Sequence, residues 1–308
     1  MSESEKKLDY TNWQAPQEQS LDSTRETNKE KLQFVVGVES VASEKHPERN
    51  EDRAFGLPEH GVFGVFDGMG GYSGGERAAG LASEIIKREM KEWFIEPDSE
   101  RSSPYHVGHA MYDAMILADR KIREESNSNS EVADMGTTGS LVTIIETEKN
   151  GAMKAVIVNI GDSRVYILRK YILKQVTLDD SPIYKDVEDA RSLQAKFSEV
   201  RDPQKELLPA EQSLWNRRNQ ISQALGAGHL DSGIIAIDVL PGDKILLCSD
   251  GISDNLTDSQ IQRQLTQNKH NQEAARDLVK AALEASRSRL PRSKPDDMTA
   301  MVIASIKQ

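Results

Sequence analysis

Residues 61–71 read Gly61-Val-Phe-Gly-Val-Phe-Asp67-Gly-Met-Gly-Gly71, an apolar run that ends in an aspartate followed by glycines. The apolar run is short and rich in β-branched and aromatic residues, so it predicts a buried strand. Asp67 follows at the strand end, where glycines permit backbone angles and close approaches that a Cβ would forbid. A carboxylate beside bare backbone carbonyls suits a hard divalent cation such as Mg²⁺ or Mn²⁺. For one Asp-Gly pair taken alone, the alternative is a plain turn after a core strand.

Acids recur at the ends of apolar strands throughout the chain. The acids concerned are Glu51, Asp52, Asp67, Asp162, Asp250, Asp254, Asp296 and Asp297. If these strand ends converge, neighbouring carboxylates repel by about 1 kcal/mol at 4 Å in water, and by about 4 kcal/mol at an effective dielectric of 20. More than one divalent ion would neutralise this charge, and a pair of ions can activate a water for in-line attack on a phosphoryl group.

Apolar periodicity divides the chain into strands and helices. Two helical stripes near 78–93 and after Pro104 predict a helix pair, with a loop expected at 126–130. Short β-rich segments joined by brief turns predict antiparallel strands before and after this pair. A second helix pair near 258–265 and 272–288 precedes the final strand. This order predicts an α+β layered fold and excludes regular βαβ alternation.

The chain reads as one large domain with a tail and an insertion. Residues 1–31 are polar and charged, and we predict a disordered tail there. Residues 32–308 carry all the periodic segments and form the domain. Residues 179–220 are polar and irregular and contain three prolines, which is typical of a lid or recognition flap.

Composition excludes several classes of function. The chain has 39 basic and 50 acidic residues, a formal net charge of -11, and no basic block, which argues against binding nucleic acid or an anionic membrane. Cys248 is the only cysteine and lies in an apolar run, so we predict a buried thiol and no intrachain disulfide. The chain start lacks an apolar signal core and no segment approaches membrane-spanning length, which predicts a cytoplasmic protein.

Six motifs follow one another along the chain. They are Asn50-Glu-Asp-Arg53, Phe66-Asp-Gly-Met-Gly-Gly71, Met135-Gly-Thr-Thr-Gly139, Asn159-Ile-Gly-Asp-Ser-Arg164, Ser249-Asp-Gly-Ile-Ser-Asp254 and Asp296-Asp-Met-Thr299. In this order they resemble the metal-dependent type 2C (PPM) serine/threonine protein phosphatases of the bacterial type, over residues 32–308. The resemblance implies an α-β-β-α sandwich, two antiparallel sheets flanked by helix pairs. It also implies that a metal-bridged hydroxide attacks phosphorus in phosphoserine and phosphothreonine.

The resemblance also implies a role for individual residues. Asp67 is expected to bridge two Mg²⁺ or Mn²⁺ ions and, with Asp250, to be essential for catalysis. The Gly68 carbonyl and Glu51 are expected to hold one ion, and Asp250 and Asp296 the other. A third, weaker ion is expected at Asp162 and Asp254. The strand entry at 136–138 matches the family without a chemical role.

Two positions depart from the family pattern. Met69 stands where eukaryotic members have a histidine that is taken as the general acid, so a metal-bound water would have to protonate the leaving group. Pro47 stands where the family usually has an arginine for the substrate phosphate. We predict that Arg49 takes over this contact, with Lys45 as its competitor, because the guanidinium fork suits two phosphate oxygens.

Other functions fit some of the same residues. A pseudophosphatase would keep the fold as a binding module without turnover, and Pro47 is its best support. A two-metal phosphodiesterase or nuclease suits the acids but lacks a basic groove. His46 lies in a polar stretch and is expected to be solvated. Arg164 is expected to order the acidic site, and the alternative is a contact with the substrate. The expected partners are phosphorylated proteins, substrates of a serine/threonine kinase, and the protein is expected to be a monomer.

Overall fold

The computed structural model of the protein describes residues 33–70, 73–95, 99–147, 151–185, 187–288 and 290–306. The predicted tail at 1–31 lies outside these residues. The strands are β1 Gln33–Val41, β2 Arg53–Leu57, β3 Val62–Phe66, β4 Gly68–Met69, β5 Gly136–Thr137, β6 Gly139–Glu146, β7 Met153–Ile160, β8 Arg164–Arg169, β9 Ile172–Gln175, β10 Ile234–Asp238, β11 Lys244–Cys248 and β12 Met298–Ile306. The α-helices are α1 Gly74–Ile95, α2 Pro104–Ser128, α3 Ala190–Glu199, α4 Pro203–Glu206, α5 Pro209–Trp215, α6 Asp250–Ser253, α7 Asp258–Gln267 and α8 Asn271–Ser286.

Strand β3 is buried on both faces because it lies inside a layered sandwich. Phe63 and Val65 pack into the core between the two sheets, whereas Val62 and Phe66 pack into the core under the first helix pair. Successive side chains of a strand point to opposite faces, so a continuous apolar run is required where both faces are covered. The predicted buried strand is confirmed.

Two five-stranded antiparallel sheets form the middle of the molecule. Their orders are β1-β12-β11-β8-β9 and β10-β7-β6-β3-β2, and β4 pairs with β5 as a short ribbon. Helices α1 and α2 cover the second sheet, while α7 and α8 cover the first. The predicted α+β class and α-β-β-α sandwich are therefore confirmed.

Antiparallel register explains why the acidic loops meet. Arg53 at the start of β2 lies opposite Phe66 at the end of β3, so the Glu51 loop and Asp67 are neighbours. In the other sheet Cys248 at the end of β11 lies opposite Ala300 near the start of β12. An antiparallel pair places the end of one strand beside the start of its partner. The acids at these ends therefore gather at one edge of the sandwich.

Two sequence-based expectations about secondary structure need correction. Residues 179–220, called here the flap segment, are not irregular, because they contain α3, α4 and α5 around their own apolar cluster. The buried members of this cluster are Ile183, Tyr184, Phe197, Val200, Leu207 and Trp215. Helix α2 continues to Ser128 through part of the predicted loop at 126–130. None of the helices within the described ranges combines the length and apolar character that a bilayer span requires.

Candidate metal centre

The backbone of Asp67 is held where it leaves β3. Its N–H donates to Thr138 Oγ1 at 3.0 Å, and its carbonyl accepts from Thr138 N at 2.8 Å and Thr137 Oγ1 at 2.9 Å. Thr138 Oγ1 also lies 2.7 Å from Ser163 Oγ, beside Asp162. Motif matching predicts no chemical role for these threonines, and in the structure they fix the Asp67 backbone and link it to the Asp162 turn.

Two glycines allow the acidic loops to touch. A Cβ on Gly68 would lie 2.1 Å from the Gly75 carbonyl oxygen and 2.6 Å from that of Glu51. A Cβ on Gly251 would lie 1.8 Å from the Asp297 carbonyl oxygen. Because such distances are sterically forbidden, only glycine permits these close approaches. The glycines of the two Asp-Gly pairs therefore let neighbouring loops pack closely, in addition to letting the chain turn.

Asp297 fixes the loop that carries Glu51, a role that sequence reasoning did not identify. Its two carboxylate oxygens accept the N–H groups of Ser43 at 2.6 Å and Glu51 at 2.7 Å, and the residue is buried. The neighbouring Asp52 is also buried and accepts a bond from Ser249 Oγ at 2.7 Å. The Glu51 loop is thus tied to the ends of both β11 and β12.

Burial and mutual repulsion raise the pKa of several carboxyl groups in the cluster. Desolvation, followed by the charges of Asp52 and Asp250, raises the pKa of Asp67 well above its usual value. Desolvation likewise raises the pKa of Asp162 well above its usual value, and that of Asp250 to about 6. Asp250 Oδ1 is buried without a hydrogen-bond partner. The negative charges of these crowded carboxylates are not balanced by enough positive charge, and carboxylate oxygens are the ligands that hard divalent cations prefer. These residues therefore fit such an ion.

Lys294 enters the same cluster, although no motif in the sequence pointed to it. Its ammonium contacts Asp250, lies 3.0 Å from Asp296 Oδ2 and 3.2 Å from Asp254 Oδ2. Burial alone would lower the pKa of Lys294, but the attraction of the three carboxylates outweighs it, and the pKa is raised. The only available signal was the position of Lys294, two residues before Asp296.

Asp162, Asp250 and Asp254 line a small cavity, and three arginines line the same cavity. The arginines are Arg164, Arg218 and Arg292. Burial would raise the pKa of Asp254, yet the positive charges of Lys294, Arg218, Arg164 and Arg292 outweigh burial and lower it. Asp254 is therefore better compensated than the other acids.

Arg164 orders this region, in the way that the sequence suggested. Its guanidinium forms a buried ion pair with Asp179, with Nη2 2.7 Å from Oδ2. It also donates to Tyr166 Oη at 3.1 Å and to Ser198 Oγ at 3.2 Å. These bonds join β8 to the flap segment, so Arg164 has few donors left for a substrate.

The loop around Pro47 presents Arg49 and not Lys45 to the cluster. Arg49 Nε lies 3.0 Å from Glu51 Oε1, whereas Lys45 is exposed. The expectation that His46 is solvated is wrong: its side chain is only 22% exposed, and Nδ1 donates to the Arg49 carbonyl at 2.9 Å. His46, Glu51 and Asp297 have potential ligand atoms within 4.8 Å of one another. Asp297 and His46 already form hydrogen bonds with the loop backbone, so we describe these two residues as positioning Glu51.

Comparisons with known proteins place the chain among phosphatases. The sequence profile of a family described as Protein phosphatase 2C matches residues 44–286. The matched range includes Glu51, Asp67, Asp162 and Asp250, and it ends before Lys294 and Asp296. More than half of the chain is therefore accounted for by one family.

Individual relatives are similar at modest identity. The chain is 26% identical over 199 residues to the serine/threonine phosphatase stp of Listeria monocytogenes, covering 64% of this chain and 69% of that protein. It is 28% identical over 254 residues to PstP of Mycobacterium tuberculosis, covering 82% of this chain but only 41% of that protein. A solved structure of the PstP catalytic domain with two manganese ions has a TM-score of 0.67 at 24% identity, covering 90% of this chain and 100% of that one.

Proposed function

This chain belongs to the protein phosphatase 2C family, and from that premise we propose that Glu51, Asp67, Asp250 and Asp296 carry its hydrolysis of phosphoserine and phosphothreonine. The family and its curated relatives are serine/threonine phosphatases, and the chain is a metal-dependent enzyme of this kind. The observation that carries the assignment of residues is the convergence of acids from four separate loops at one edge of the sandwich.

We assign two divalent ions, Mg²⁺ or Mn²⁺, to this cluster. Asp67 would bridge them, Glu51 and the Gly68 carbonyl would hold one, and Asp250 and Asp296 the other. When bound, such a pair supplies Lewis acidity and an activated water for attack on a phosphoryl group. The oxygen-only donor set and the unpartnered Asp250 Oδ1 support this proposal.

A third, weaker ion is assigned to Asp162 and Asp254. Both line the same small cavity, and burial raises the pKa of Asp162 well above its usual value. Asp254 is already surrounded by cationic side chains, which lower its pKa against the effect of burial. A further cation gains less from a carboxylate that is already compensated, so this ion should bind more weakly than the other two.

Arg49 is proposed to orient the substrate phosphate. Its side chain is 28% exposed beside Glu51, so the guanidinium lies at the border between the acids and solvent. Arginine presents paired donors that match two phosphate oxygens, and it keeps its charge at any physiological pH. Lys45 is exposed, whereas Arg49 lies beside Glu51, which favours Arg49 for this contact.

Met69 cannot supply a proton to the leaving alkoxide, because a thioether has no ionisable hydrogen. The residue lies on β4 beside Asp67, where it pairs with Gly136. We propose that the proton of the leaving group comes from water instead. We place that water beside Asp162 and Asp254, where the buried acids can hold it.

The rival functions have less support. The acids of the cluster are all present, and apart from Pro47 no feature of the chain favours a pseudophosphatase. A nuclease would need a basic groove, which a net charge of -11 does not suggest. We further propose that the protein is a cytoplasmic monomer that acts on the phosphoproteins of a serine/threonine kinase.

The test is hydrolysis of a phosphothreonine peptide with Mn²⁺ or Mg²⁺, with and without chelator. Asp67→Asn and Asp250→Asn should nearly abolish turnover while circular dichroism shows an unchanged fold. Asp238→Asn, on the exposed edge strand β10, is the matched control and should behave like the wild type. Full activity after exhaustive chelation, or near-wild-type kcat in either cluster variant, would overturn the assignment. Reagents that modify thiols should have no effect, because Cys248 is fully buried.

A further inference from the structure

The Lys294 ammonium lies among carboxylates that the proposed function assigns to metal ions. Its contacts are Asp250, Asp254 and Asp296, of which the first and last are proposed ligands of one ion. No other lysine ammonium in the described part of the chain has an ion pair with a proposed metal ligand. The position lies beyond the residues that match the family profile.

The position of Lys294 is fixed by hydrogen bonds to its backbone. Asn255 Oδ1 accepts the Lys294 N–H at 2.8 Å, and Asn255 Nδ2 donates to the Lys294 carbonyl at 2.7 Å. The same Nδ2 donates to the Gly251 carbonyl at 2.8 Å. One asparagine therefore fastens the lysine to the helical turn that carries Asp250.

An ammonium and a divalent ion compete for these oxygens. Lys294 contacts Oδ2 of both Asp250 and Asp296, the two side chains that would have to approach an ion to about 2.0–2.1 Å for Mg²⁺. Cations repel each other strongly at such separations in a partly buried site. The Lys294 side chain is 26% exposed and has a flexible four-carbon stem, so it has a route to solvent.

We propose that Lys294 is an internal counter-ion of the metal centre, which binds the carboxylates in the metal-free protein and is displaced when the metal binds. This inference rests on the proposed function, because it uses the assignment of Asp250 and Asp296 to an ion. Lys294 stabilises the acids against mutual repulsion without metal. Lys294 also weakens metal binding, so the fraction of protein with metal bound depends on the concentration of free divalent ions.

The test compares Mn²⁺ binding by calorimetry in the full-length protein and three variants. Lys294→Met keeps the length of the side chain without its charge and should bind Mn²⁺ at least about tenfold more tightly, which corresponds to about 1.4 kcal/mol. Lys294→Arg keeps the charge and should stay within about threefold of the wild type. Lys205→Met removes an exposed lysine paired with Asp202 and should change nothing. Without metal, Lys294→Met should also melt at a lower temperature than the wild type.

The wild-type protein provides a second measurement if Lys294→Met does not fold. Acylation of lysines, followed by mass spectrometry, should modify Lys294 faster once the centre is saturated with Mg²⁺, whereas Lys205 should react at a constant rate. Unchanged Mn²⁺ affinity in Lys294→Met, or unchanged acylation of Lys294, would overturn the inference. Asp250→Asn separates this failure from that of the proposed function. If Asp250→Asn keeps wild-type Mn²⁺ affinity, the metal centre itself is misassigned.

Discussion

Replacing Arg292 should destabilise the protein, because this residue links the flap segment to the helical turn that carries Asp250. The buried guanidinium donates from Nη1 to the carbonyls of Phe197 at 3.0 Å and Val200 at 2.8 Å. From Nη2 it donates to the carbonyls of Ser253 at 2.6 Å and Leu256 at 3.1 Å. The side chain of Arg292 therefore supplies hydrogen bonds to carbonyl groups at the C-terminal ends of both α3 and α6.

The magnitude follows from these four bonds. Arg292→Met removes all of them at a net cost of about 1 kcal/mol each, so the free energy of unfolding should fall by about 4 kcal/mol. A domain of this size loses about 2 °C in Tm per kcal/mol, which predicts a decrease of about 8 °C. The assay is thermal and urea denaturation, combined with hydrogen exchange, in which α3 should lose protection first.

The matched control is Arg287→Ala, which removes an arginine paired with Glu44 at the surface. Both side chains of this pair are about half exposed, at 55% and 51%. Exposed ion pairs contribute about 0–1 kcal/mol, so the control should shift Tm by less than about 2 °C. If Arg292→Met melts no lower than this control, the four hydrogen bonds of Arg292 do not stabilise the link between the flap segment and the turn that carries Asp250.

Three more predictions concern the phosphate contact, the outer acids and pH. Arg49→Ala should lower kcat/KM about ten- to hundredfold, which is the contribution of a charge-assisted hydrogen bond, while Lys45→Ala should lower it much less. If Lys45→Ala has the larger effect, Lys45 and not Arg49 contacts the phosphate. Asp162→Ala and Asp254→Ala should slow hydrolysis of a phosphopeptide more than that of an activated aryl phosphate, whose leaving group needs little protonation, and equal losses would refute this role. Burial raises the pKa of Asp52 from 3.8 to about 8, so the folded metal-free protein binds more protons than the unfolded chain between these values. Its urea stability in chelator should therefore fall as pH rises from about 4 to about 8, and a rise would contradict this.

Local patterns in the chain were sufficient to predict an α+β layered fold, and the resemblance carried by the six motifs implied the α-β-β-α order of its layers. The alternation in β3 is a property of adjacent residues, since Phe63 and Val65 face one core and Val62 and Phe66 the other. The helical stripes follow from a period of 3.6 residues in the same way. The acids were recognisable because each directly follows or precedes an apolar strand. Antiparallel pairing then makes their convergence at one edge a consequence of the topology.

The contacts that complete the site depend on partners far apart in the chain. The Asp297 carboxylate accepts the Ser43 N–H across 254 residues, and Arg292 reaches the Phe197 carbonyl across 95. Lys294 stands beside two acids in the sequence, yet its ammonium is among carboxylates because Asn255 holds its backbone. The direction of a side chain and the partner that it contacts are set by packing between segments that are far apart in the chain. Patterns among neighbouring residues do not show this packing. The sequence by itself therefore determined the sandwich and its acidic edge, and only the tertiary structure decided which cations and carbonyls those acids meet.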